Sequence, residues 1–291
     1  MAKIAELLSN GFTFSVELWP PRTEEAEARL ERVLDELRSL QLSFVSITYG
    51  AGGSTRERTH DLVVRLKNEY PAVPMAHLTC AAHSKAELVE ILDRYLQEGV
   101  ENILALKGDP PLDATEGLEE GELVHAIELV ELAKSIGPFC VAVAAHPEGH
   151  PDSIDLRSDR EHLAQKLRKA DFAITQFFFK VEDYLRLMDD LMALSVEKPV
   201  IPGIMPITNA RTVYKMAAMA GTNVPEELSR RVELYADKPE ELRGFGIEVA
   251  TSLAEELVEA GVPGIHVYTM NQAQATVEIY ENLNMSSRVG R

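Results

Sequence analysis

The sequence predicts an α/β fold, a single-domain (β/α)8 TIM barrel, from three observations. Eight short, apolar, β-rich runs recur along the 291 residues, segments of helical periodicity separate them, and most runs carry a polar residue at or just past the C-terminal end. Apolar runs without alternation are the mark of strands buried on both faces, as in parallel sheets. Strict βα alternation kept up eight times suits a closed barrel better than an open doubly wound sheet, and barrels of this length commonly form one unit.

The elements follow in order. Residues 1–11 (MAKIAELLSNG) form a short amphipathic helix, too polar for a signal segment. The strand runs are Phe12–Leu18, Phe44–Tyr49, Met75–Cys80, Asn102–Leu106, Cys140–Ala145, Phe172–Phe179, Val200–Met205 and Ile265–Met270. Between them, Leu30, Val33, Leu34 and Leu37 share one helical face. Leu88, Ile91, Leu92 and Tyr95 share another, opened by a capping box at Ser84 and Glu87. Further helices are expected over Arg56–Glu69, Glu122–Ser135, Asp159–Lys169, Val181–Leu194, Asn209–Ala220 and Glu240–Glu259, with an extra one over Val224–Ala236. Residues 284–291 are small and polar and are expected to be flexible.

A hydrophobic fraction of 45% allows a sizeable core. The net charge of −18, with no basic tract, argues against nucleic-acid backbones and anionic membranes as partners. No apolar stretch is long enough to span a bilayer. Cys80 and Cys140 lie at the edges of apolar runs and read as buried free thiols rather than a disulfide, which suits a reducing cytoplasm.

The stretch that organises the chain is NILALKGDPP, residues 102–111, an apolar strand ending abruptly in Lys107-Gly108-Asp109. In a barrel the strands' C-terminal ends share one rim, where ligands bind. Those ends carry Glu17, Thr48, His77, Asp109, His146, His150, Gln176 and the Tyr268–Asn271 segment. A polar residue in an apolar strand costs stability unless satisfied, so a common ligand is the economical explanation. Glu17 lies between apolar neighbours, where a raised pKa suits a general acid; an ion pair with a nearby cation is the alternative. Gly50–Ser54 precedes a helix and could cradle an anion or simply turn the chain; it lacks the third glycine of a dinucleotide fingerprint. His146 and His150 are four apart, but Pro147 and Gly149 break any helix between them, so hydrogen bonding to a ligand is favoured over metal binding. The chain has no nucleophile elbow and no glycosidase-type carboxylate pair.

Taken together and in order, the stretches FSVELWPP, FVSITYGAGGSTRERTH, AHLTC, NILALKGDPP, VAAHPEGHPDS, AITQFFF, PVIPGIMPITN and GIHVYTMN closely resemble the methylenetetrahydrofolate reductase family, from about Phe12 to Leu283. The resemblance implies a barrel carrying FAD, taking hydride from NADH or NADPH and reducing 5,10-methylenetetrahydrofolate to 5-methyltetrahydrofolate by a ping-pong route, supplying methyl groups for methionine synthesis in the cytoplasm. It implies Glu17 as the acid that protonates folate N10, and Asp109 as the carboxylate beside pterin and flavin. By matching motifs, Thr48, His77, Lys107, Gly108, Asp109, Ala145, His146, His150, Asp159 and Lys166 fall at FAD contacts, and Glu17, Asp109 and Gln176 at substrate contacts. It also implies a dimer or tetramer and no metal. Lys107 stands where Arg is common and His146 where Tyr or Phe is usual; the spacing from Lys166 to Gln176 is one residue short. Thr212 and Met216 replace a Gln and a Phe that grip substrate in some members, so those contacts are not carried over. Two other readings stay open: direct hydride transfer from nicotinamide without flavin, and a folate- or flavin-binding barrel without turnover.

Overall fold

The computed structural model describes residues 2–49, 56–108 and 121–290, so Asp109 and the Gly50–Ser54 loop lie outside the described residues. In chain order the elements are α1 (Ile4–Asn10), β1 (Thr13–Leu18), α2 (Glu24–Leu37), β2 (Phe44–Ile47), α3 (Arg56–Glu69), β3 (Val73–Thr79), α4 (Lys85–Gln97) and β4 (Asn102–Leu106). Next come α5 (Ala126–Ile136), β5 (Cys140–Ala145), α6 (Leu156–Lys169), β6 (Phe172–Thr175), α7 (Val181–Ala193), β7 (Val200–Ile201) and β8 (Gly203–Ile204). The chain continues with α8 (Ala210–Ala220), α9 (Glu226–Leu234), α10 (Pro239–Glu259), β9 (Gly264–Tyr268) and α11 (Ala273–Asn282).

All the strands pair in parallel, in the order β7-β6-β5-β4-β3-β2-β1-β9-β8. The Val200–Met205 run is therefore two strands, and Pro202 is the reason. It has no N–H for the ladder, so the run changes partner there: β7 pairs with β6, and β8 with β9. That one broken segment touches both edges of the sheet and brings it round into a nearly closed barrel. The seam is completed by a side chain, with the Gly203 amide donating to Thr175 Oγ1 at 2.8 Å.

Period-two alternation sorts the strand residues. In β5, Val141, Val143 and Ala145 face the helices, while Cys140 and Ala142 join Phe44, Met75, Leu104, Phe172 and Ile201 inside the barrel. Burying each large aliphatic or aromatic side chain of this kind contributes about 1.5–3 kcal/mol. On α2, the expected face of Leu30, Val33, Leu34 and Leu37 is the buried one. The capping box at Ser84 and Glu87 opens α4 as expected, and the extra helix in the seventh crossover is present as α9.

Two expectations need correction. The Phe172–Phe179 run is strand only to Thr175, because the Gln176 side chain accepts the Phe177 N–H and takes it from any ladder. The tail after Leu283 is not frayed through residue 290: Met285 is fully buried, Val289 bridges to Phe12, and the Gly290 amide donates to the Phe12 carbonyl. A short polar segment can dock when the barrel offers it an unpaired strand end.

Candidate active site

A cavity of about 190 Å3 opens at the C-terminal mouth of the barrel. Of the expected residues, Glu17, His77, His146 and Gln176 line it. His266, Tyr268, Phe177 and the methionines Met205, Met216 and Met270 complete much of the wall. A wider groove of about 730 Å3 lies on the outside between α2 and α3, where Arg65 pairs with Glu27 and Glu31; it shares no lining residue with the cavity.

Glu17 is the inward residue near the end of β1, and its side chain is 14% exposed. Burial pushes its carboxyl up to about 7, opposed only by the Trp19 indole N–H, which donates to Oε1 at 3.3 Å. The group can therefore hold a proton near neutral pH and release it. His77 on β3 places Nε2 3.8 Å from Glu17 Oε2. This is not an ion pair at neutral pH, because burial also lowers His77 to about 3 and keeps it neutral. His77 Nε2 is buried and has no hydrogen-bond partner among the described residues.

His266 lies deeper and is fully held. Nδ1 shares a hydrogen bond with Ser15 Oγ at 2.8 Å and Nε2 with Ser46 Oγ at 3.3 Å, while its ring stacks on Phe44. Burial drives it down to about 3. Tyr268 spans the seam, donating to the Thr175 carbonyl at 2.7 Å. Its ring lies against Gly203, where a Cβ would stand 2.5 Å from Cε2, so no larger residue fits. Burial, then the nearby Glu17, raises its phenol well above the usual value.

The remaining predicted residues divide. The Gln176 amide donates to the Ala145 carbonyl at 2.7 Å, so these two are neighbours at the rim. His146, lowered to about 4 chiefly by burial, packs edge-on to His150 at 4.6 Å. Thr48 continues the β1–β2 ladder, and its carbonyl accepts from Thr59. Lys107 is exposed and reaches across to Asp152 at 3.2 Å, on the same loop as His150. Gly108 has φ +81° and lies against Thr79, 2.7 Å from where a Cβ would stand. Asp159 accepts from the His150 amide and pairs with Arg160, which also donates to the His146 and Pro147 carbonyls. Lys166 donates to the Ala144 carbonyl at 3.0 Å, and burial lowers its pKa. Asp109 lies outside the described residues.

Sequence reasoning did not single out His266, Met205 or Arg160, and it set Met216 aside although Met216 lines the cavity. His266 was detectable in principle, two residues before Tyr268 and so on the same face of the strand. No group of His, Cys, Asp or Glu among the described residues has the arrangement to hold a metal ion.

Comparison with known proteins agrees with this geometry. The family model described as Methylenetetrahydrofolate reductase matches residues 1–284. A 5,10-methylenetetrahydrofolate reductase of Pectobacterium carotovorum is 35% identical over 98% of this chain and 94% of its own length. Methylenetetrahydrofolate reductase (NADH) 1 of Arabidopsis thaliana is 33% identical over 99% of this chain, which spans 52% of that relative. Among solved structures, a Clostridium thermocellum protein described as binding two copies of 5-methyl-5,6,7,8-tetrahydrofolic acid superposes with a TM-score of 0.71 at 15% identity, covering 98% of this chain and 99% of that one, a likeness of fold. The chain belongs to the methylenetetrahydrofolate reductase family.

Proposed function

We propose that the protein reduces 5,10-methylenetetrahydrofolate to 5-methyltetrahydrofolate with NADH or NADPH, through bound FAD and in ping-pong order. The observation that carries this reading is Glu17: a carboxyl raised to about 7, on the wall of a cavity whose histidines are neutral. An acid so placed can protonate folate N10, favouring opening of the five-membered ring to the iminium that accepts hydride. A Clostridium thermocellum protein of the same fold, described as binding 5-methyl-5,6,7,8-tetrahydrofolic acid, is consistent with a folate as ligand.

The residues present fit a flavin on two counts. His77 Nε2 is buried at the cavity wall and has no hydrogen-bond partner among the described residues, and Gly108 leaves bare backbone beside the strand ends. When bound, the flavin supplies the hydride chemistry between nicotinamide and the methylene carbon. Thr48, His77, Lys107, Gly108, Ala145, His146 and His150 would hold it, with Asp109 beside the pterin. Asp159 and Lys166 already bond the strand and loop at His146 and would act by holding that loop in place. Gln176 would orient the folate. Buried free thiols at Cys80 and Cys140 support a reducing, cytoplasmic setting, and the family likeness supports a dimer or tetramer.

The test is the visible spectrum of the purified protein under anaerobic conditions. A yellow protein that bleaches with NADH and recovers its colour with methylenetetrahydrofolate is expected. Colourless protein that still reduces the folate would establish direct hydride transfer instead. A protein that binds folate with no turnover would end the enzymatic reading.

A further inference from the structure

The turn that follows β9 carries backbone strain with no role in the steps above. Met270 and Asn271 both sit at φ +54°, two consecutive non-glycine residues in the left-handed region. Asparagine tolerates that region and methionine does not, so the surrounding bonds must impose it. The Gln272 amide closes the turn locally onto the Thr269 carbonyl at 2.9 Å, and three side-chain bonds run to the segment that bears the acid, some 250 residues away. Thr269 Oγ1 donates to the Glu17 carbonyl at 2.7 Å and accepts from the Asn271 amide at 3.1 Å. The Asn271 side chain then grips both sides of the Trp19 backbone: Oδ1 accepts the Trp19 N–H at 2.8 Å, and Nδ2 donates to the Trp19 carbonyl at 3.0 Å.

These are not sheet contacts. Pairing of β1 with β9 stops at Glu17 opposite Tyr268, and β1 itself ends at Leu18. Pro20 and Pro21 follow Trp19 and have no amide hydrogens, so the ladder cannot continue. Nor does Asn271 serve the next helix, whose N-cap is Gln272. The one side-chain donor bonded to the Glu17 carboxyl among the described residues is the indole of the gripped residue, Trp19.

We infer that the Thr269–Asn271 turn is a clamp that holds Trp19 against Glu17, with Asn271 as a positioning residue for the acid. Treating Glu17 as an acid rests on the function proposed above; the clamp stands on geometry. Among the described residues, the groups facing Glu17 are Trp19, His77 from β3 and Tyr268 from β9, with His266 and His146 elsewhere on the wall, and no Lys or Arg lines the cavity. An indole hydrogen bond favours the ionised carboxylate, so losing the clamp raises the Glu17 pKa.

Trp19 is the only tryptophan in the chain, so its single indole 15N–1H resonance reports on Glu17 in the intact protein. In the wild type this resonance is expected to titrate near pH 7, and Glu17→Gln should abolish the transition. Asn271→Gly suits the positive φ yet removes both bonds to Trp19, and should move the midpoint up by about one pH unit, tenfold in ionisation constant. Thr269→Val, nearly isosteric, should move it the same way by less, and decides the matter if Asn271→Gly does not fold. A midpoint unmoved in the folded variant overturns the clamp. The titration needs no flavin, nicotinamide or folate. A shifted midpoint in a protein that never reduces folate retains the clamp and removes the reductase reading; folate reduction with an unmoved midpoint does the reverse.

Discussion

The two ends of this barrel bury polar groups in opposite ways. At the N-terminal end, α1 lies across the opening and inserts Ile4 among Phe44, Met75 and Phe172. The polar group there, Asn102, is fully satisfied, accepting from the Ile4 amide at 2.9 Å and donating to the Ala2 carbonyl at 3.1 Å. At the C-terminal mouth, Glu17 is raised to about 7 and His77 Nε2 has no hydrogen-bond partner among the described residues. A satisfied buried amide stabilises a fold, whereas an unsatisfied histidine or a carboxyl forced toward neutrality weakens it. One end is organised for stability and the other gives some of that stability up to chemistry.

The largest effect that would sharpen this contrast is acid lability, confined to the mouth. His77 and His266 are lowered to about 3 and His146 to about 4, so the unfolded chain binds protons that the folded interior refuses. Their contribution is complete above the ordinary histidine value and is lost as pH falls from about 6.5 toward the folded values, at roughly 1.4 kcal/mol per histidine per pH unit. Urea unfolding between pH 7.5 and 5 should show this slope, and His77→Gln should flatten it. An identical slope in the variant would mean that His77 titrates freely.

Glu17→Gln comes next and has two signatures. Reoxidation of reduced flavin by methylenetetrahydrofolate should fall by about 10²–10⁴-fold while bleaching by NADH persists. Because burial raises Glu17, the folded state binds the extra proton between the ordinary carboxylate value and about 7, and stability falls as pH rises through that window. At pH 8 the variant should therefore be more stable than wild type by about 3 kcal/mol, with no gain below pH 4.5. Equal stability at pH 8 would show that the carboxyl is not desolvated.

At the floor, Asn102→Ala removes both bonds to the N-terminal segment and should cost about 2 kcal/mol in chemical unfolding. Turnover per folded molecule should stay at the wild-type value; a loss of turnover would mean that the two ends are coupled. The smallest effect belongs to Asp152→Asn, since the Lys107–Asp152 pair is exposed on both sides. Its loss should change stability by less than about 1 kcal/mol, and less again at high salt.

Much of this was legible in the residues themselves. The strand runs, the α2 face and the Ser84–Glu87 box were readable because pleat, helical turn and cap are local periodicities. The raised pKa of Glu17 was readable because its neighbours in the chain are apolar. His266 was missed because a histidine in a strand gives no hint that two serines from other strands will satisfy it. The pairing of Lys107 with Asp152 was not readable, because it joins residues 45 apart across a loop whose path no spacing predicts.

What the amino-acid order determined alone was the alternation of strands and helices and the kinds of polar group at each strand end, since both depend on neighbours a few residues apart. Only the tertiary structure decided that Pro202 splits the closing strand between two partners, that the tail docks on Phe12, and that Asn271 grips Trp19. Those outcomes depend on closing the barrel, which brings together groups hundreds of residues apart and removes the water that would otherwise have kept Glu17 an ordinary carboxylate.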